Sequence, residues 1–135
     1  MMYDKKLIVY FSKSGNTKKL AEMIQAAVGG DACDIDAPKP DFAAYDLIFL
    51  GTPNYSATVA GPMADYIKGI DLTGKTVAPF CTHGMGGLQN VGEDMTKLCT
   101  AAGAAKVFPT IPVKGVDVDQ AGEKLAAWLK DCGIA

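Results

Sequence analysis

Ser12, Ser14, Asn16 and Thr17 surround Gly15 in the stretch Tyr10-Phe11-Ser12-Lys13-Ser14-Gly15-Asn16-Thr17, and their types and spacing suit the binding of an anion. Hydroxyl and amide side chains donate hydrogen bonds, and glycine lets the backbone approach a ligand closely. A helix starting here would leave its first amide N–H groups without intrahelical acceptors and carry about half a positive charge at that end. The combination predicts a site for a phosphate monoester. The same residues would also make an ordinary strand-to-helix connection capped by Ser, Asn or Thr. The stretch has neither the longer glycine frame and Gly-Lys-Ser/Thr ending of a Walker A loop nor the G-x-G-x-x-G fingerprint, which argues against ATP and NAD.

The elements that would position this turn follow from apolar patterning. Leu7 to Phe11 is a continuous apolar run, as expected of a central strand buried on both faces of a parallel sheet. Leu20, Met23, Ile24, Ala27 and Val28 then recur at helical spacing, which predicts a helix from about Asn16 to Val28, stopped by Gly29-Gly30. Ala32 to Ile35 reads as a second strand, and Pro38 and Pro40 keep the next crossover irregular, with a short helical turn near Phe42 to Tyr45. Asp46 to Gly51 is a third strand, Thr52 to Gly61 a loop, and Pro62 opens a helix through Ile67. Thr76 to Cys81 reads as a fourth strand despite Pro79, followed by a flexible loop from Thr82 to Gly87 and a helix from about Asn90 to Ala102. A last strand from about Ala105 to Pro109, continuing irregularly to Val113, leads to a helix over 119–132 with Trp128 on its apolar face. Strands alternating with helices in this way predict one α/β domain over residues 1–135: a five-stranded parallel sheet with helices on both sides and right-handed crossovers.

Composition excludes several function classes. The 135 residues include 13 basic ones, all lysine, against 15 acids, for a net charge of −2. Nucleic-acid binding usually needs a basic stripe with arginine for base edges, and a bidentate arginine clamp is impossible here. The absence of arginine also excludes a cysteine phosphatase, whose loop is closed by that residue. Phe11-Ser12 and Gly51-Thr52 stand where a phosphoacceptor receiver would want acids. Cys33, Cys81, Cys99 and Cys132 show no C-x-x-C or metal-ligand spacing and read as reduced, structural thiols; no metal site is expected. The polar start before a short apolar strand predicts neither a signal peptide nor a membrane span, hence a cytoplasmic protein without membrane partners.

The spacing Ser12-x-Ser14-Gly15-Asn16-Thr17 resembles the phosphate loop of the flavodoxin family, in which a hydroxyl-x-hydroxyl-Gly-Asn-Thr turn holds the phosphate of FMN. Two later stretches, Gly51 to Ser56 and Cys81 to Gly87, resemble that family's second and third loops. The resemblance implies a three-layer, doubly wound sheet of order 2-1-3-4-5, with FMN at the carboxyl ends of strands one and three where the winding reverses. It implies cofactor contacts from Ser12, Lys13, Ser14, Gly15, Asn16 and Thr17, then from Thr52, Pro53, Asn54, Tyr55 and Ser56, and then from Thr82, His83, Gly84, Met85 and Gly86. Tyr55, the only aromatic residue in the three loops, would stack on the isoalloxazine, with Thr52 and Asn54 at its polar edge. Backbone amides of the third loop would bind the pyrimidine edge, and Met85 would cover an apolar ring face. His83 is the one histidine of the chain; it is either a charge that favours the reduced flavin when protonated or a solvated loop imidazole.

Two departures from the family pattern bear on function. Low-potential carriers surround the flavin with carboxylates, whereas the loops over 12–17, 52–61 and 82–90 contain none and include Lys13 and His83, which raises the expected potential. The second loop also lacks the glycine whose peptide flips on reduction; Asn54 tolerates positive φ best there. The expected function is an FMN-binding electron-transfer protein in which no side chain need be catalytic, serving a redox partner protein or a small-molecule acceptor as a monomer or weak dimer. An FMN-dependent oxidoreductase of the quinone or nitro-compound type is one alternative, and a cofactor-free interaction module of the same fold is another.

Overall fold

A computed structural model of the protein describes residues 3–134. In chain order the elements are β1 (Lys6–Tyr10), α1 (Asn16–Val28), β2 (Asp31–Asp34), a 3-10 turn (Phe42–Ala44), β3 (Leu47–Tyr55), β4 (Thr58–Val59), α2 (Gly61–Lys68), β5 (Thr76–His83), α3 (Val91–Ala101), β6 (Lys106–Val107), β7 (Ile111–Lys114), a 3-10 turn (Gly115–Gln120) and α4 (Gly122–Asp131). The sheet runs β2-β1-β3-β5-β6, with β7 also parallel to β5 and β4 antiparallel to β3. The expected order of five parallel strands therefore holds, with β5 as the fourth strand and β6 and β7 as two pieces of the fifth.

The break in the fifth strand has its cause in the prolines. Val77 O accepts from Phe108 N–H at 3.0 Å or less (2.9 Å), so Val77 points its polar groups toward that edge and Pro79, two residues on, does the same. Pro79 has no N–H to offer there, and the partner chain passes it as Phe108-Pro109-Thr110 before pairing resumes at Phe80↔Ile111. Pro112 is tolerated because β7 is an edge: its carbonyl accepts from Lys124 Nζ, on the side away from β5.

Period-two alternation along the central strands divides the core into two layers. Leu7, Val9, Ile48 and Leu50 pack with Met63 and Ile67 of α2 and Val91, Met95 and Cys99 of α3. Ile8, Leu47 and Phe49 face the other way, against Leu20 and Ile24 of α1 and Leu125 and Leu129 of α4. Trp128 belongs to that second layer, its ring 6.1 Å from Phe49 and its Nε1–H bonded to Pro109 O at 2.8 Å. The last helix is shorter than expected, because residues 115–120 form the 3-10 turn that carries the chain from β7 across the end of α1.

Gly51 and Gly103 are among the glycines fixed by close approach. A Cβ on Gly51 would lie 2.1 Å from the Phe80 ring, and one on Gly103, at φ +103°, would lie 2.6 Å from Thr73 Oγ1. The first lets β3 and β5 sit side by side under the site with a phenylalanine filling the space.

Candidate functional site

The carboxyl ends of β1, β3, β5 and β7 reach one edge of the sheet, where a cleft of about 310 Å³ opens. Its first wall is the turn after β1. Phe11 N–H extends the β1–β3 ladder by bonding Gly51 O at 3.0 Å, and the chain then reverses through Gly15 at φ +95°. Ser12 Oγ accepts from Gly15 N–H and Lys18 N–H, both at 3.1 Å, so this hydroxyl caps α1 from four residues before its first helical residue, Asn16. The first helical bond runs from Lys19 N–H to Gly15 O at 3.0 Å. Among the described residues the N–H groups of Asn16 and Thr17 have no acceptors, and they sit at the positive end of the helix dipole. Ser14 and Asn16 line the cleft; Lys13 is exposed beside it. Thr17 is buried, its hydroxyl 2.7 Å from that of Thr82.

The second wall differs from the expected loop. β3 continues through Thr52, Pro53, Asn54 and Tyr55 and turns back as a hairpin onto β4, with Asn54 opposite Val59 and Tyr55 opposite Thr58. Ser56 and Ala57 make the two-residue turn at φ +55° and +73°, so the positive φ falls on these residues and not on Asn54. A hairpin turn of this kind favours Asn-Gly, and Ser-Ala carries no such signal. The strained pair is held from outside: Asn90 N–H bonds Ala57 O at 3.0 Å, and Thr58 Oγ1 donates to the Asp94 carboxylate.

Thr52 is fully buried and occupied internally, its hydroxyl donating to Pro53 O at 2.8 Å and accepting from Ala60 N–H at 3.0 Å, so it does not line the cleft. Asn54 does, and its Nδ2 ties the hairpin to the next loop through Gly87 O and Gln89 Oε1, both at 2.8 Å, while its Oδ1 is buried without a partner among the described residues. Tyr55 is 37 % exposed and rests edge-on against Phe11 at 6.1 Å.

The third wall also begins as strand, since β5 runs through Thr82 and His83. The His83 Nδ1–H donates to Gly84 O at 2.7 Å, which leaves Nε2 as the free ring nitrogen. Gly84 and Met85 line the cleft, and Gly86 lies behind them against the Gln89 side chain. Cys81 is buried under this wall, and burial pushes its thiol up to about 12, so it is no thiolate at neutral pH.

A fourth wall, Lys114, Gly115 and Val116, was not expected from sequence. Lys114 stands opposite His83 in the β5–β7 register. A Cβ on Gly115 would lie 2.5 Å from Asn16 Nδ2, so this backbone closes directly onto the first wall. The signal was topological: any chain that ends a fifth parallel strand must arrive at the same edge as the first four.

The chemistry of the cleft is therefore polar amide at one end and apolar at its mouth. None of its lining residues is Asp or Glu, and Lys114 is a cation on its wall. Tyr55, Met85 and Val116 are the exposed large hydrophobic residues among the described residues, and all three line the cleft. No group of residues suited to hold a metal ion occurs among the described residues, and no described helix is long and apolar enough to cross a membrane.

Known proteins share this fold. The flavodoxin domain family matches residues 7–105, from β1 to the threshold of β6, which takes in the first three walls. Flavodoxin 1 of Shigella flexneri is 32 % identical over 120 residues, covering 83 % of this chain and 64 % of the relative, so the chain spans less than two thirds of that relative's length. Among solved structures, a flavoprotein from Bacteroides eggerthii DSM 20697 superposes with a TM-score of 0.75 at 23 % identity, covering 97 % of this chain and 99 % of the other. A flavoprotein in complex with FMN from Lactobacillus acidophilus NCFM superposes with a TM-score of 0.67 at 21 % identity, over 86 % and 97 % of the two chains. These likenesses carry the fold, and the family match over most of the sequence, together with the turn it contains, carries the membership: the chain belongs to the flavodoxin family.

Proposed function

We propose that this protein binds FMN in the cleft and serves as an electron-transfer protein. One observation carries the reading: the acceptor-free N–H groups of Asn16 and Thr17 stand at the head of a cleft whose mouth is formed by an exposed tyrosine. A phosphate monoester satisfies the first feature and a flat, largely apolar ring the second. The residues present fit the group. Ser14 and Asn16 offer side-chain donors beside the free amides, Tyr55 offers a ring braced by Phe11, and nothing stands within 4 Å of a Cβ built on Gly84, which leaves its backbone open to a ligand.

FMN, when bound, supplies the electron-carrying chemistry; the protein's residues bind, orient and shield it. The Asn54 amide holds Gly87 and Gln89 and so fixes the third wall relative to the tyrosine. Lys114 and the α1 dipole, with no lining carboxylate to oppose them, favour added negative charge in the cleft. A redox partner protein or a small acceptor approaches across Tyr55, Met85 and Val116, the apolar rim through which a bound ring is reached. The same positive balance also suits a flavin-dependent oxidoreductase, and rapid reduction of the bound flavin by NADH or NADPH would select that reading.

The test is a fluorescence titration of the apo-protein with FMN and, in parallel, riboflavin. FMN should quench at low concentration and bind at least ~100-fold more tightly than riboflavin, since hydrogen bonds to a charged group contribute about 1.5–3 kcal/mol each. Equal affinity for the two compounds would remove the phosphate assignment, and no binding of either would remove the flavin.

A further inference from the structure

The buried contact between the Thr17 and Thr82 hydroxyls carries an inference beyond that reading, although it rests on the assignment of the phosphate to residues 12–17. The two oxygens lie 2.7 Å apart, joining the second residue of α1 to the penultimate residue of β5 across 65 positions of sequence. Thr17 is 2 % exposed and Thr82 is 4 % exposed, so water does not serve either group freely. Two hydroxyls carry two protons. One lies in the bond between them, and neither oxygen makes any other hydrogen bond among the described residues. The second proton therefore lacks an acceptor, and a buried donor left unmatched costs about 1–3 kcal/mol.

Which threonine holds that second proton follows from surroundings. Thr17 stands in the first turn of α1, where its own N–H and that of Asn16 also lack acceptors. An anion placed there would accept from all three groups. Thr82 borders the cleft, whereas Thr17 lies one layer behind Asn16, but Thr82 has no acceptor-free amides beside it; it lies in a strand between β3 and β7, with its carbonyl taking the Cys81 thiol at 3.4 Å. We propose that Thr82 is a positioning residue for the phosphate site: it donates to Thr17 and so commits the Thr17 proton to the bound phosphate. A hydroxyl that accepts one hydrogen bond is the stronger donor of the next, so the pair acts as a short polarised chain from β5 into the site.

The test compares FMN and riboflavin binding to the wild-type apo-protein and to Thr82→Val, Thr82→Ser, Thr17→Val and the double variant Thr17→Val/Thr82→Val. Thr82→Val keeps the shape and removes the donor. It should weaken FMN roughly 5- to 10-fold and leave riboflavin within about 2-fold, while Thr82→Ser restores FMN affinity. The double variant should bind FMN no more weakly than Thr17→Val alone, because the effect of Thr82 passes through Thr17. If Thr82→Val does not fold, judged by its thermal melt, Thr82→Ala carries the same comparison. Equal weakening of FMN and riboflavin, or additive losses in the double variant, overturns the positioning role while leaving the phosphate site intact. A wild-type protein that binds both compounds equally overturns the phosphate site and this inference with it.

Discussion

Replacing Ala57 by glycine should stabilise the protein, and the size of the gain can be worked from the hairpin. Ala57 is held at φ +73° between β3 and β4 by the Asn90 N–H and by the Thr58–Asp94 hydrogen bond. An L-residue with a Cβ pays about 1–2 kcal/mol in that region, and glycine none. Glycine gives back about 0.4–1 kcal/mol through the freer unfolded chain, which leaves a net gain of roughly 0.5–1 kcal/mol. With an unfolding entropy of about 2.1 cal/mol/K per residue, the chain should unfold with roughly 0.28 kcal/mol/K, so the melting temperature should rise by about 2–4 °C. Differential scanning calorimetry of the apo-protein checks this, with reversibility confirmed by a second scan. An unchanged or lowered melting temperature would show that residue 57 is not left-handed, and the two-residue hairpin that presents Tyr55 would be refuted. FMN affinity should change little, since the glycine relieves strain without moving the anchors.

Gly51→Ala should do the opposite, because its Cβ would meet the Phe80 ring at 2.1 Å between two central strands; overpacking of this kind costs about 1–3 kcal/mol, measurable as a lower urea midpoint, and an unchanged midpoint would contradict the strand register. Gly115→Ala should leave the midpoint almost unchanged, since its Cβ clashes with the far end of the Asn16 side chain, at 2.5 Å, and meets the His83 carbonyl at an ordinary 3.6 Å, yet weaken FMN by about 5-fold as that amide is displaced; unaltered binding would remove the fourth wall from the site. Burial pushes the Cys81 and Cys99 thiols up to about 12, so in native protein both should resist a thiol reagent at pH 8 that labels them after unfolding. Because these folded-state values lie above the unfolded ones, the unfolded chain holds fewer protons than the folded one between about pH 9 and pH 12, and unfolding there releases protons. Stability should be complete below about pH 9 and fall toward pH 12 by up to ~1.4 kcal/mol per pH unit for each thiol; a flat alkaline profile would contradict their burial.

The strands, the helices and the hydroxyl-rich turn before α1 were legible because each is a local pattern: apolar runs at Leu7 and Leu47, helical periodicity after Thr17, and hydroxyls around Gly15. What stayed hidden depends on partners distant in sequence. The Ser56-Ala57 turn has no hairpin composition and exists because α3 clamps it, so Thr52 to Tyr55 look like a loop until Asn90 and Asp94 are in place. Thr52 reads as a site residue by position, but Ala60 N–H claims its hydroxyl eight residues later. The split of the fifth strand required knowing that Pro79 turns its missing donor toward that neighbour. Lys114, Gly115 and Val116 carry no motif at all, and only the topology brings them to Asn16.

Ser12 shows how the same hydroxyl can look like a ligand donor and be chiefly a scaffold. Its oxygen already accepts from Gly15 and Lys18, so it performs the capping of α1, while the amides left free for an anion are those of Asn16 and Thr17. Ser12→Ala should therefore lower the stability of the apo-protein by about 0.5–2 kcal/mol, the range for a lost helix cap. Two more amides are then released at the helix end, and a bound phosphate gains access to them, which offsets part of the cost in the complex. The rise in melting temperature on adding FMN should accordingly be as large in Ser12→Ala as in the wild type, or larger. A variant that keeps full apo-protein stability yet loses that rise would mean that the hydroxyl serves the ligand and not the helix, and the division of labour within the turn would have to be reversed.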